Sequence, residues 1–234
     1  MAGFSPEIVD LLGCLPIADV NAQLVDCLAT TDWQMPASEV EKSSNEPELA
    51  PTVFACVFAA DPFYDSAQLI DDLRAANISG IANLPSLGIL EGRFAQVMSA
   101  SGFDFQRELQ CLEFAKRKGL QTSVFVWNEQ QGSAGLQAHA DQLVVHPGGF
   151  LRQPSGRETA ACATTELIKR LQQRADSKTP VLLYRHPGFY DELAEAAELA
   201  DGTVEYGKGV QGVQGVRGVQ EYYADPPHEL GTKT

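Results

Sequence analysis

No stretch of the 234-residue sequence approaches the roughly 18 consecutive apolar residues that a membrane span needs. Positive charge is scarce: 17 Lys and Arg face 31 Asp and Glu, for a net charge of −14 and a pI near 4.6. Such a surface repels phosphate backbones and anionic bilayers, which argues against nucleic acid and membrane as partners. A small anion is not excluded, because a local site can oppose the global field. The five cysteines (Cys14, Cys27, Cys56, Cys111, Cys162) form no Cys-x-x-Cys pair. They predict reduced, buried thiols in a cytoplasmic protein rather than disulfides or zinc. Residues 1–19 have no basic start and carry acids within their apolar stretch, unlike a secretory signal. Neither a Gly-x-Gly-x-x-Gly after a first strand nor a Gly-x-x-x-x-Gly-Lys-Ser/Thr loop occurs. A nucleophile elbow is missing as well.

What is present is alternation. Residues 1–50 read as two helical pieces divided by Pro16 and then a polar, Pro-bearing connection. From Pro51 onward short apolar runs recur at 52–59, 78–83, 122–127, 142–146, 180–186 and 202–207. Near-continuous apolar runs of that length predict parallel strands covered on both faces. Helix-like segments lie between them, with Ser66 and Asp104 as candidate caps and Gly119 as a stop. Six strands alternating with helices define a parallel α/β fold, either a doubly wound sheet or a (β/α)-barrel. The missing dinucleotide fingerprint favours the barrel. In either architecture the C-terminal strand ends form the site. Residues 1–207 are expected to form one domain. Residues 208–234 are expected to be a tail; its repeat, 208–220, carries a Gly-Val-Gln triplet about four times and has none of the proline that a collagen helix needs. The tail predicts low-complexity sequence without a function of its own.

Five segments occur in an order that is distinctive: 57–65 (VFAADPFYD), 80–94 (GIANLPSLGILEGRF), 101–108 (SGFDFQRE), 120–130 (LQTSVFVWNEQ) and 144–149 (VVHPGG). Together they resemble the phosphoenolpyruvate hydrolase-like family of TIM barrels, also labelled TIM-barrel signal-transduction proteins. The resemblance implies a TIM (β/α)8-like barrel. The N-terminal segment aligns with the family's region after its second strand, so the implied barrel is incomplete, with about six strands. A late start at an internal methionine, a divergent fragment that dimerises, and replacement of the lost strands by residues 1–50 each account for this.

The resemblance also implies a function: Mg²⁺-assisted hydrolysis or lysis of a small, anionic, 2-oxoacid-like compound, with cleavage of a C–C or P–C bond. The alternatives are a non-catalytic binding or signalling barrel and a truncated remnant of the family. Asp61 is either a metal ligand or the acceptor of an Asp-Pro turn. Asn83 either bonds a ligand carbonyl or its own loop. Glu91, in a Gly-bearing loop that suits a lid, is an acid/base or a solvated loop acid. Asn128 is a ligand-binding candidate, whereas Glu129 fits the first turn of its helix. His146 and His186 end successive strands and are expected to face one mouth, as acid/base or anion-binding groups. Gly148, Gly149 and Gly188 let a backbone approach an anion. Arg157 can clamp an anion, while Arg185 is expected to face outward, being one place off His186. Open strand edges predict a homo-oligomer. The Asp-rich metal cluster and the gating loop of the phosphonopyruvate hydrolases and phosphoenolpyruvate mutases are not recognisable; the corresponding loop reads LPSLGI.

Overall fold

The structure, a computed structural model, describes residues 19–30, 54–148, 156–176, 178–185 and 191–205. Six strands, β1 (Phe54–Val57), β2 (Gly80–Asn83), β3 (Gln121–Val126), β4 (Gln142–Val145), β5 (Val181–Arg185) and β6 (Gly202–Glu205), form one sheet. Every neighbouring pair is parallel, and the spatial order is the chain order. A doubly wound sheet reverses its order at a switch point. This sheet never does, so it curls one way into an open half-barrel. The curl carries the Tyr184 ring on β5 to 5.9 Å from the Phe125 ring on β3, across the intervening β4.

Seven helices occur among the described residues: α1 (Val20–Thr30), α2 (Ser66–Ala75), α3 (Gly92–Ala100), α4 (Phe105–Arg117), α5 (Glu129–Gln137), α6 (Arg157–Arg174) and α7 (Ala194–Leu199). Local chemistry sets their ends. Asp104 caps α4 by accepting from the Arg107 N–H at 2.9 Å, and Gly119 leaves it at a φ of 91°. The cap of α2 is Asp65, which accepts from the Ala67 N–H at 2.7 Å; Ser66, the residue expected in that role, is already helical. Asp65 keeps an extended backbone just before the helix, and that places its carboxylate against the free Ala67 amide. Residues 84–91, between β2 and α3, hold one 3-10 turn, Leu87–Ile89.

Strand periodicity sorts the side chains onto two faces. Ala55, Val57, Ile81, Val124, Val126, Leu143, Val145, Val181 and Leu183 pack outward against the helices in the main core. Ala82, Phe125, Val144 and Tyr184 face inward, with Trp127, Leu182 and Val204 against them. The strands read as continuous apolar runs because both faces are covered. Arg185 falls on the helix-facing side, as its place beside an inward residue requires.

The cysteines divide rather than conform. Cys111 is buried and Cys27 half-buried, but Cys56 and Cys162 are exposed. Cys56 pairs with Ala82 in register and so lies on the inward face of β1, which is paired on one side among the described residues. No described helix is long and apolar enough to cross a membrane. The expected tail repeat, the Pro16 break and the polar connection of residues 31–50 lie outside the described residues.

Candidate functional site

The parallel register fixes which inward residues share a level. Phe125 is opposite Val144, and Val144 is opposite Leu182. Two residues further along each chain, Trp127, His146 and Tyr184 form the next level toward the C-terminal mouth. Their rings stack in that order: Trp127 and His146 have centroids 5.1 Å apart, and His146 and Tyr184 4.8 Å apart at 15°. His146 is 8% exposed. Its Nδ1 accepts the Gly148 N–H at 3.0 Å, which puts the proton of the neutral imidazole on Nε2. Gly148 reaches that position with a φ of 75°, a conformation that suits glycine. Trp127 Nε1 is buried and has no hydrogen-bond partner.

Beside this stack runs a buried polar network. Asn83 is fully buried, and its Oδ1 accepts the Phe125 N–H at 2.7 Å. Its Nδ2 donates to Glu108 Oε2 at 2.8 Å. Glu108, on α4, is itself fully buried and also accepts from Ser86 Oγ (2.6 Å) and the Leu87 N–H (2.5 Å). Burial pushes the Glu108 carboxyl up to about 7, against the pull of these three donors. The loop they hold continues to Gly88, whose carbonyl accepts from Gln131 Nε2 at 2.8 Å. Gln131 Oε1 then accepts the Trp127 N–H at 2.8 Å.

At the far end of the sheet, Asp61 is 7% exposed. Its Oδ1 accepts the Phe63 N–H at 2.8 Å, whereas Oδ2 is buried without a hydrogen-bond partner. Burial raises its carboxyl above the ordinary range; the Phe63 amide opposes this and the nearby Asp19 carboxylate adds to it. Helix α1 brings Asp19 there, because Asn21 clasps Phe58, donating to its carbonyl at 2.9 Å and accepting its N–H at 3.0 Å. Among the described residues no group of three or more His, Cys, Asp or Glu gathers as a metal cluster.

The sequence candidates therefore separate. His146 and Gly148 meet at the mouth. Asn83 points to the helix layer rather than the barrel interior. Asn128 caps α5 by accepting the Gln131 N–H at 2.9 Å. Glu91 is exposed at the N-cap of α3 and makes no capping bond. Glu129 opens α5 and pairs with Arg170 and Arg174. Arg157 pairs with Glu192 at 2.9 Å. Gly149, His186 and Gly188 lie outside the described residues. Sequence reading passed over Trp127, Tyr184, Glu108 and Gln131. Glu108 did carry a signal, as a charge on the apolar stripe of Phe105, Leu109, Leu112 and Ala115.

A parallel half-barrel with an aromatic-flanked histidine at the C-terminal end of β4 defines a TIM-barrel-like protein whose candidate site is at its mouth. The phosphoenolpyruvate hydrolase-like family profile matches residues 10–213, and the chain belongs to that family. It is 29% identical over 167 residues to both the "ToMV resistance protein Tm-1(GCR237)" and the "ToMV susceptible protein tm-1(GCR26)" of Solanum lycopersicum. Each match covers 71% of this chain and 20% of the tomato protein. It is also 28% identical over 124 residues to the "Uncharacterized protein y4oT" of Sinorhizobium fredii (strain NBRC 101917 / NGR234), covering 53% of this chain and 56% of that protein. The chain thus spans a fifth of the tomato proteins and just over half of the bacterial one.

Proposed function

We propose that the mouth binds a small, anionic, 2-oxoacid-like compound and acts on it as a hydrolase or lyase that cleaves a C–C or P–C bond. The observation that carries this reading is the His146 ring, clamped between Trp127 and Tyr184 with its proton directed to Nε2 by Gly148. Cleavage beside a 2-oxo group leaves the bonding pair on an enolate, and carbon must then take up a proton. His146 Nε2–H is the donor for that step. The buried Trp127 Nε1–H supplies a second, neutral donor for an oxygen of the anion.

Magnesium is the cofactor this chemistry calls for. The donor set fits a hard cation: Asp61 offers a buried, unpartnered carboxylate oxygen with a second carboxylate, Asp19, beside it. One or two carboxylates with waters suffice for Mg²⁺. Asp61 and Asp19 would hold the ion, which would supply positive charge for an anionic oxygen at that end of the sheet. The unpaired sides of β1 and β6 among the described residues support a homo-oligomer that covers these edges.

A second reading is a barrel that binds and signals without turnover. It is favoured by the bonding of Asn83 and Asn128, both spent on local structure. The resistant and susceptible tomato relatives match equally, so the likeness does not support antiviral resistance as the role of this region. The deciding experiment is a steady-state assay of pyruvate release from phosphonopyruvate and oxaloacetate with Mg²⁺. His146→Asn is expected to lower kcat by roughly 10²–10⁴, the usual worth of a positioned acid. Turnover unaffected in that variant rejects the role of His146. No release from any compound by the wild type favours the binding reading.

A further inference from the structure

We propose that Glu108 is the positioning residue of the mouth: from the helix layer, its carboxylate fixes the loop that seats Trp127 against His146. This inference rests on the mouth being the site, but its test reads the position of the rings rather than turnover.

A continuous path of bonds joins Glu108 to Trp127. Glu108 is fully buried and faces no cation among its bonded partners; its three donors are Asn83, Ser86 and the Leu87 amide. A carboxylate in that setting is costly and could be replaced by an apolar side chain if packing were its sole role. What it secures is the turn Ser86–Leu87–Gly88. Ser86 Oγ, donating to Glu108, in turn accepts the Gly88 N–H at 3.0 Å. Gly88 is thereby pressed against the tryptophan: a Cβ built on it would lie 3.1 Å from Trp127 Cε3 and 3.0 Å from the Phe105 ring. The Gly88 carbonyl holds Gln131, and Gln131 holds the Trp127 amide. Asn83 closes a second route, from Glu108 to the Phe125 amide two residues before Trp127. Both routes end on the strand segment that carries the ring stacked on His146.

The chemistry of the carboxylate is specific to this task. Every donor aimed at it needs an acceptor, and above about pH 7, where the carboxyl is ionised, it is an acceptor only. In Glu108→Gln one oxygen becomes an NH₂ group, which must face Ser86 Oγ and Asn83 Nδ2 or the Leu87 N–H. At least one bond to the loop is lost without a change of volume.

The test is NMR of the full chain in a Trp33→Phe background, following the Trp127 indole N–H and the His146 ring protons. Glu108→Gln is expected to move or broaden both sets of signals. Leu112→Ala, which opens a cavity in the main core on the same helix and removes no hydrogen bond of either route, is expected to lower the melting temperature while leaving both sets in place. Gln131→Leu keeps the buried carboxylate and cuts only the link to Trp127; it is expected to move the Trp127 signal in a folded protein. Signals at wild-type positions in Glu108→Gln, or in Gln131→Leu should the first variant fail to fold, overturn the proposal. Equal shifts in Leu112→Ala overturn it as well, since the rings would then report general loosening. Moved rings without measurable turnover in any variant would sustain the positioning role and count against the enzymatic reading.

Discussion

His146 and Glu108 show how differently two titratable residues can be used one layer apart. His146 is bonded through Nδ1 to a glycine amide two residues on. The strand-end place of His146, followed by Pro-Gly, was legible in the sequence, but that contact was not. Its stacking on Tyr184 was not, because it depends on the register between strands. Glu108 has the opposite history: its apolar neighbours at helical spacing marked it, but only the fold shows what it bonds. Its carboxyl is raised to about 7 by burial, with the Asp104 charge adding to the rise. The folded state therefore binds a proton more tightly than the unfolded chain, whose glutamates titrate near 4.3. The stability this gives is fully present below the unfolded value and is lost as pH rises through about 7. Melting temperatures of wild type and Glu108→Gln measured from pH 4 to 8 are expected to show the difference, with the variant lacking this decline. Parallel curves would mean that Glu108 does not titrate in this range.

At the level of elements, the six strands, their parallel sense and most of the helices were readable from apolar runs and caps. Boundaries shifted by a residue or two where a neighbouring side chain capped first, as Asp65 did before Ser66. Contacts between helices were not readable, since no single-chain period encodes them. Gly132 and Gly135 on α5 illustrate this. A Cβ on Gly132 would overlap the Leu171 side chain of α6, which is fully buried and has no room to move. One on Gly135 would sit 2.9 Å from Leu143 Cδ2 on β4. Alanine at an ordinary helical glycine gains about 1 kcal/mol. Here overpacking, typically about 1–3 kcal/mol, outweighs that gain. Thermal denaturation of Gly132→Ala is expected to show a melting point several degrees below wild type. An unchanged or higher value would show that α5 and α6 are not so closely packed.

For the whole molecule, six parallel strands in chain order give a curved sheet with two ends, β1 and β6, each paired on one side among the described residues. Cys56, exposed on the inward face of β1, lies at one of these ends. Analytical ultracentrifugation over a wide concentration range is expected to find an oligomer, and a monomer throughout would contradict the edge-covering proposal. The net charge of −14 sets a further condition. An anionic ligand must be drawn by local donors against the field of the whole protein, so binding is expected to strengthen as salt screens that field. The most direct test of the account is thermal unfolding of the chain with Mg²⁺ and a series of 2-oxoacids, alongside His146→Asn. A ligand at 100 times its Kd stabilises by about 2.7 kcal/mol, a shift of roughly 5–10 °C for a domain of this size. Such a shift is expected in the wild type, and its loss in the variant. No shift with any 2-oxoacid, or an equal shift in both proteins, would contradict a site built around His146.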